Sequence, residues 1–491
     1  VEKRDRIVSL DPATLEPLGE VKIATREEVE AAVSRARAAH PAWAGLSFAA
    51  RGAILRRANE VMLDCADEIA DLISRENGKT VTAAMSAEIV PIADLIAYFA
   101  KNAEQLLEVE SIPIRHWGLF RRRSYLHYPP LGVLGVISPW NFPFSIPMGT
   151  VVMALAAGNT VVLKPSEVTP LVGLKIGEIL RAGGLPDGCC EIVTGDGSTG
   201  AALCEAPIDK LFFTGSTRTG RRVMEACAKR LTPVSLELGG NAPMIVLKDA
   251  NIENAVAGAV WGAFFNSGQV CASVQRIYVD RAIAEPFTAR LVEDAKKRGA
   301  KVLCGGKRAE VPGAKGYFYE PTLLAGVDHG FRIVKEEIFG PVASIMTFDT
   351  EDEAVRLAND TSYGLMASVW TADVERGERI ARRIESGTVC VNDHAMTHGI
   401  PETPWGGIKQ SGFGRTHGKL GLLEMVQWRH VHVNAASGIK LPWWFPEQPG
   451  TYRGLKKTAE AFGRRSLVKR AAALVGAARE LVFGSRKGSG A

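Results

Sequence analysis

Three residues of this 491-residue chain could together carry out chemistry on a carbonyl. Cys271 follows a helical stretch over 255–265 and the small-residue turn Asn266-Ser267-Gly268-Gln269-Val270. Alone it means little, because most free cysteines are buried and inert. Glu237, in Glu237-Leu238-Gly239-Gly240, could act as a base, and Asn141, in Pro139-Trp140-Asn141-Phe142-Pro143, could donate to an oxyanion. A nucleophile, a base and an oxyanion donor make a covalent acyl-transfer site. A second pattern suits phosphate: Phe213-Thr214-Gly215-Ser216-Thr217 ends a strand and opens a helix from Arg218, whose free N–H groups could meet a pyrophosphate. The Gly215 to Gly220 spacing is not that of a GxGxxG turn. His394 and His398 stand four apart, as zinc ligands on a helix do, but Pro401 and Pro404 mark a loop, so no metal is expected. Cys189-Cys190 is expected to pack at the start of a strand.

Together with Lys164-Pro165-Ser166-Glu167, Glu337-Ile338-Phe339-Gly340-Pro341 and Pro404-Trp405-Gly406-Gly407, these motifs follow one another along the chain in the order of the aldehyde dehydrogenase superfamily, which the chain resembles over residues 8 to 434. The resemblance implies NAD(P)-dependent oxidation of an aldehyde to a carboxylic acid. Cys271 as thiolate would attack the aldehyde, and the Asn141 amide and the Cys271 backbone N–H would hold the thiohemiacetal oxyanion. After hydride loss to the nicotinamide, Glu237 would activate the water that hydrolyses the thioester, a role that disfavours transfer to coenzyme A. The resemblance also puts Lys164 and Glu167 at the adenosine ribose, Gly197 under the adenine, and Glu337 and Phe339 at the nicotinamide ribose and ring. Ile137, Trp140, Ser166, Thr214, Gly215, Ser216, Leu238 and Gly239 complete the implied cofactor site. A carboxylate at Glu167 accepts from ribose hydroxyls and repels a 2′-phosphate, so NAD is expected, with NADP the alternative through Lys164. A non-catalytic relative, kept for binding or structure, is the alternative of another class, and the presence of Cys271, Glu237 and Asn141 argues against it.

Two departures stand out. Asn241 follows Glu-Leu-Gly-Gly where the family usually carries Lys, which puts a supporting contact in doubt. The stretch from Cys271 to Glu337 is also shorter than in typical relatives by roughly thirty residues. Either a surface excursion was deleted, or the sequence joins across an unrepresented stretch at Glu293-Asp294, the reading favoured here.

The elements that must position these residues are legible in outline. Helical periodicity marks 26–40 and 49–75 as scaffold. Short β-rich runs at 132–137, 160–163, 191–194 and 210–213 alternate with helical stretches, and a second series follows at 243–247, 276–279, 343–347, 368–371 and 387–392. Alternation of this kind predicts parallel, doubly wound sheets. The expected fold is therefore α/β with two doubly wound lobes, a Rossmann-like NAD(P)-binding domain (1–111 and 131–236) and a catalytic domain (237–408). Alternating segments at 112–128 and 426–433 read as paired arms, assigned within 112–130 and 409–435 to oligomerisation as a homodimer or homotetramer. An internal hairpin is the alternative.

The composition, 46% hydrophobic and 23% charged, is that of a folded globular protein. Net charge is only +5, and no nucleic-acid partner is expected. From Leu441 onward, however, ten Lys and Arg face three Glu, so residues 436–491 form a basic tail. In it Pro442-Trp443-Trp444-Phe445-Pro446 leads a helix whose Leu467, Ala471, Leu474, Ala478, Leu481 and Val482 share one face. Such a tail suits a membrane interface through 442–483, or packing on a protein surface. Membrane attachment would favour long-chain apolar aldehydes; a semialdehyde or aromatic aldehyde handled in solution is the alternative. Eight cysteines without a CxxC pair and a charged N-terminal stretch predict a cytoplasmic protein, with peripheral membrane contact as an added option. The run between His127 and Lys164, free of formal charge, is too rich in proline to span a bilayer.

Overall fold

The computed structural model describes residues 5–114, 122–289, 305–436, 438, 441, 444–445 and 450–483. The Glu293-Asp294 junction and Trp443 lie outside them, and the side chain of Val482 is likewise not described. The chain divides into two compact units, the first within Val1–Glu108 and His127–Arg429, the second within Val109–Leu126 and His430–Ala491.

The first unit opens with a hairpin of β1 (Arg6–Leu10) and β2 (Pro17–Lys22). Helices Arg26–Ala44, Phe48–Asp64 and Ala66–Asn77 follow. The first starts at a capping box in which Thr25 accepts from the Glu28 N–H and Glu28 reaches back to the Thr25 N–H. The single helix predicted over 49–75 is two, broken at Cys65, where φ −112° and ψ 21° leave the helical region. Each piece buries its own stripe, Leu55, Ala58 and Met62 in one and Ile69, Ala70 and Ile73 in the other. A long helix over Val81–Leu106, which the sequence reading did not single out, contains a π turn at Met85–Ile89. By length and composition it could cross a membrane, but half of its most apolar window is buried inside the protein.

Two six-stranded sheets follow. The first holds β5 (Val133–Ile137), β6 (Thr160–Lys164), β7 (Cys190–Ile192), β8 (Lys210–Thr214), β9 (Val234–Glu237) and the short β16 (Gly412–Phe413), in the order β16-β9-β8-β5-β6-β7. All its pairs are parallel except β16 with β9. The second holds β10 (Ala242–Val246), β11 (Val274–Asp280), β12 (Thr322–Leu324), β13 (Val342–Phe348), β14 (Met366–Trp370) and β15 (Thr388–Val391), ordered β12-β13-β11-β10-β14-β15 and entirely parallel. Central strands β5, β6, β10 and β14 are buried along their whole length, which is why they read as unbroken apolar runs. The charge-free run between His127 and Lys164 accordingly holds strand β5, the helix Ser145–Ala157 and strand β6 up to its last residue. In the first sheet β5 is followed by β6 and β7 on one side and by β8 and β9 on the other. That reversal creates a crevice at the carboxyl ends, where open α/β sheets bind ligands.

In the second unit, β3 (Glu110–Ile112), β4 (Arg122–His127) and β17 (Arg429–Asn434) form a sheet in the order β17-β4-β3. Ser124 Oγ lies 2.7 Å from His432 Nδ1. The two alternating segments thus lie side by side, but the arm is shorter than 409–435: Gly412 and Phe413 pair with Glu237 and Leu236 in the first unit, and the chain joins the second only at His430. Further on, helices Thr451–Gly463 and Leu467–Ala478 pack on each other. The buried residues of the second helix are Ala473 and Ala477, whereas Leu467, Ala471, Leu474 and Ala478, which share the face read from the sequence, are exposed. Small alanines let the two helices approach closely, so the larger residues are left outside.

Candidate active site

At the carboxyl ends of β5, β6, β8 and β9 lies a cleft of about 780 Å³. The strands deliver Ile137, Lys164, Thr214 and Glu237 to it from their last positions. Trp140, Asn141, Glu167, Gly197, Gly215, Ser216, Leu238, Gly239, Cys271, Glu337 and Phe339 line the rest. Of the catalytic and cofactor residues named from the sequence, Ser166 alone does not line it. Ser166 is buried, and its hydroxyl accepts from the Val168 N–H at 3.2 Å, shaping the turn instead.

The phosphate-sized features sit at one end. Ser216 caps the helix Thr217–Ala228, accepting from the Thr219 N–H, so the helix starts one residue earlier than predicted. A Cβ on Gly215 would come within 2.6 Å of the Phe213 ring, and one on Gly197 would meet open space. Lys164 Nζ donates to Glu167 Oε2 at 2.9 Å. A volume of this size with convergent polar groups is ordinary for a cofactor site.

At the other end the nucleophile loop is backbone-strained. Asn266, Ser267 and Gly268 are all left-handed, with φ of 50°, 57° and 71°. A Cβ on Gly268 would lie 2.1 Å from the Gly340 carbonyl, so only glycine fits. Left-handed non-glycine residues store strain that the surroundings must offset, and they cluster at functional sites. Here Asn266 Nδ2 donates to the Asn141 carbonyl at 3.1 Å, and Asn141 Nδ2 donates to the Gln269 carbonyl at 3.0 Å. An amide carries two hydrogens, so Asn141 retains one for another acceptor.

Burial dominates the electrostatics. It pushes the Cys271 thiol up to about 12, with the Glu337 and Glu237 carboxylates adding to the shift. Burial also carries Glu237 well above the usual carboxylate range, opposed by Arg415 and reinforced by Glu424. Glu337 is raised to about 7 by burial, opposed by the Gly240 N–H that its Oε1 accepts at 2.9 Å. Glu237 Oε2 is buried, and among the described residues nothing hydrogen-bonds it. A buried oxygen without a partner calls for an explanation, and a water it acts on is one. Cys271 and Glu237 also share a second cavity, of about 40 Å³, with Ile146, Gly149, Thr150, Met153, Trp405, His398 and His417. That is enough for a water.

Three further residues acquire clear surroundings. Asn241 donates to the Val334 and Glu336 carbonyls at 3.0 and 3.3 Å and accepts from Arg276 Nε at 2.8 Å, tying the Gly239-Gly240 turn to the segment that carries Glu337. The support expected of Lys is supplied by an amide. His394 and His398 do not converge: His394 Nε2 is 2.8 Å from the Ala272 carbonyl oxygen and Nδ1 is 3.2 Å from Ser368 Oγ, while the His398 ring rests edge-on against Trp405.

The chain matches the aldehyde dehydrogenase family over residues 1–297 and 289–431. It is 35% identical to the 4,4'-diapolycopene aldehyde oxidase of Methylomonas sp, covering 94% of this chain and 93% of that protein. It is 38% identical to the betaine aldehyde dehydrogenase of Bacillus subtilis, covering 87% and 93%. The NAD+ complex of an aldehyde dehydrogenase from Bacillus cereus superimposes with a TM-score of 0.82 at 35% identity, covering 88% of this chain and 93% of that one. The chain belongs to the aldehyde dehydrogenase family and is an NAD(P)-dependent enzyme of it. The family match restarts between residues 289 and 297, the region of the Glu293-Asp294 junction.

Proposed function

We propose that the enzyme oxidises an uncharged, apolar aldehyde to its carboxylic acid with NAD, using Cys271 as nucleophile, Asn141 as oxyanion donor and Glu237 as the base for thioester hydrolysis. The observation that carries this reading is that Cys271 and Glu237 face both the large cleft and the small cavity. Thiol and base thus meet the cofactor side and a water-sized space at once. NAD fits the residues present: Lys164 and Glu167 would hold the adenosine ribose, the Thr214–Ser216 turn the pyrophosphate, and Glu337 with Phe339 the nicotinamide end. When bound it supplies the hydride acceptor. The chain's own residues do the rest. Cys271 adds to the carbonyl carbon as thiolate, the spare Asn141 hydrogen meets the resulting oxyanion, and Glu237 takes a proton from water so that hydroxide displaces the thiolate and releases the acid. The paired Glu167 would set its carboxylate against a 2′-phosphate, which supports NAD over NADP.

For the substrate, the side chains around this water-sized space favour an uncharged group beside Cys271. Among the described residues lining it none is Lys or Arg, and its one formal charge is Glu237. Burial holds the His398 imidazole down at about 4, and that of His417 well below its ordinary value, so both are neutral. A carboxylated semialdehyde would meet no cation there. Relatives carry names as different as betaine aldehyde dehydrogenase and 4,4'-diapolycopene aldehyde oxidase. The β3-β4-β17 sheet is read as the oligomerisation element, and the C-terminal helices as a contact with anionic lipid. Leu467, Val468 and Val475 are 76%, 80% and 72% exposed beside exposed Arg464, Arg465 and Lys469, a pairing of apolar and basic groups suited to a membrane interface.

The test is NADH formation from alkanals of increasing length, an aromatic aldehyde, betaine aldehyde and a semialdehyde, with and without coenzyme A, with Cys271→Ser as control. Turnover that rises with alkanal length, ignores coenzyme A and falls by at least about 10³-fold in the variant supports the proposal. Preference for the semialdehyde would overturn the substrate reading, and activity surviving in Cys271→Ser would overturn the mechanism.

A further inference from the structure

Lys79 and Glu88 form an ion pair from which water is excluded. Neither side chain has exposed area, and Nζ contacts Oε1 directly. A pair so placed costs desolvation that its own attraction offsets only when every remaining donor and acceptor is satisfied. Those remaining bonds converge on one stretch of backbone, residues 141–145. Lys79 Nζ donates to the Asn141 carbonyl at 2.9 Å and sits 4.1 Å from the centre of the Phe142 ring. Glu88 Oε2 accepts from the Phe144 and Ser145 N–H groups at 2.7 and 3.1 Å, at the start of the helix Ser145–Ala157. Nearby, Asn77 Nδ2 donates to the Trp140 carbonyl at 2.9 Å. Glu88 lies on the π turn Met85–Ile89, an irregularity often found at functional sites.

We propose that Lys79 and Glu88 are positioning residues: by fixing the backbone from 141 to 145 they aim the Asn141 amide at the point above Cys271 where the oxyanion forms. This rests on the reading of Asn141 as oxyanion donor. Such a donor works only where the charge develops, and a displacement of about 1 Å costs on the order of 10²-fold in rate.

The experiment compares Lys79→Met, Glu88→Leu, the double variant and Asn141→Ala in the full chain. It measures thermal midpoint, NAD affinity by fluorescence quenching, KM and kcat. Each single variant orphans a buried charge and loses both midpoint and kcat. The double variant removes both charges and regains most of the midpoint, with NAD affinity and KM unchanged. Its kcat stays about tenfold or more below the starting enzyme, and adding Asn141→Ala does not multiply the loss. A double variant that regains midpoint and kcat together would overturn the proposal, because the pair would then serve the fold alone. An Asn141→Ala enzyme with full kcat would instead overturn the oxyanion reading and, with it, the purpose assigned to the pair.

Discussion

Cys271, Glu237 and Glu337 are three acids crowded into one apolar cleft, and burial favours the neutral form of each. A base must be ionised to work, so the acid limb of the kcat profile falls at a pH above the ordinary carboxylate range, set by Glu237 or by Glu337 near 7. Replacing Glu237 by Gln is expected to leave a burst of NADH equal to the enzyme present, followed by turnover slowed by about 10²- to 10⁴-fold, because acylation proceeds and hydrolysis stalls. Rapid-mixing absorbance checks this, and loss of the burst itself would assign Glu237 to thiol activation. The same residue predicts a stability effect. A carboxyl whose folded-state pKa is raised contributes stability fully present below its unfolded pKa and lost as pH rises through the folded one. Glu237→Gln should therefore raise the thermal midpoint at about pH 8 and leave it nearly unchanged at about pH 4.

Among the elements, it is the loops after β9 and before β11 that hold the chemistry together, through glycines pressed against functional groups. A Cβ on Gly239 would lie 2.2 Å from Glu337 Oε2, and one on Gly240 would lie 2.2 Å from the Cys271 carbonyl. The two positions should behave differently. In Gly239→Ala the obstructed atom ends a flexible side chain, so Glu337 moves aside: KM for NAD is expected to rise by about tenfold while the fold is kept. In Gly240→Ala the obstructed atom is backbone, and a loss of about 1–3 kcal/mol is expected in urea unfolding, together with loss of activity. Equal effects of the two substitutions would contradict this account of the loops.

For the molecule as a whole, the C-terminal helices bear on where the enzyme works. The alignment with the Methylomonas relative takes in 94% of the chain, so it runs past residue 431, where the family match ends. At least part of this segment is thus shared with that relative. If Leu467, Val468 and Val475 meet lipid, the enzyme should co-sediment with vesicles containing anionic lipid, less with neutral ones, and the association should weaken with salt. Leu467→Glu with Val475→Glu should abolish co-sedimentation while leaving turnover of a short soluble aldehyde unchanged. Vesicle binding that survives the double substitution would remove this face from consideration.

The sequence by itself pointed to the proposed chemistry and to most of the strands. Cys271, Glu237 and Asn141 lie in short motifs whose residue types state their roles, and fully buried parallel strands such as β5 and β10 read as apolar runs because both faces are covered. It did not reveal the helix Val81–Leu106 or the break at Cys65, since those depend on what each helix meets. Only the tertiary structure brought Lys79 and Glu88 to the backbone of Asn141, and Asn241 to the segment before Glu337. Local patterns record which face of a segment avoids water. Contacts between residues distant in sequence leave no periodic mark, because they are fixed when the sheets and helices pack.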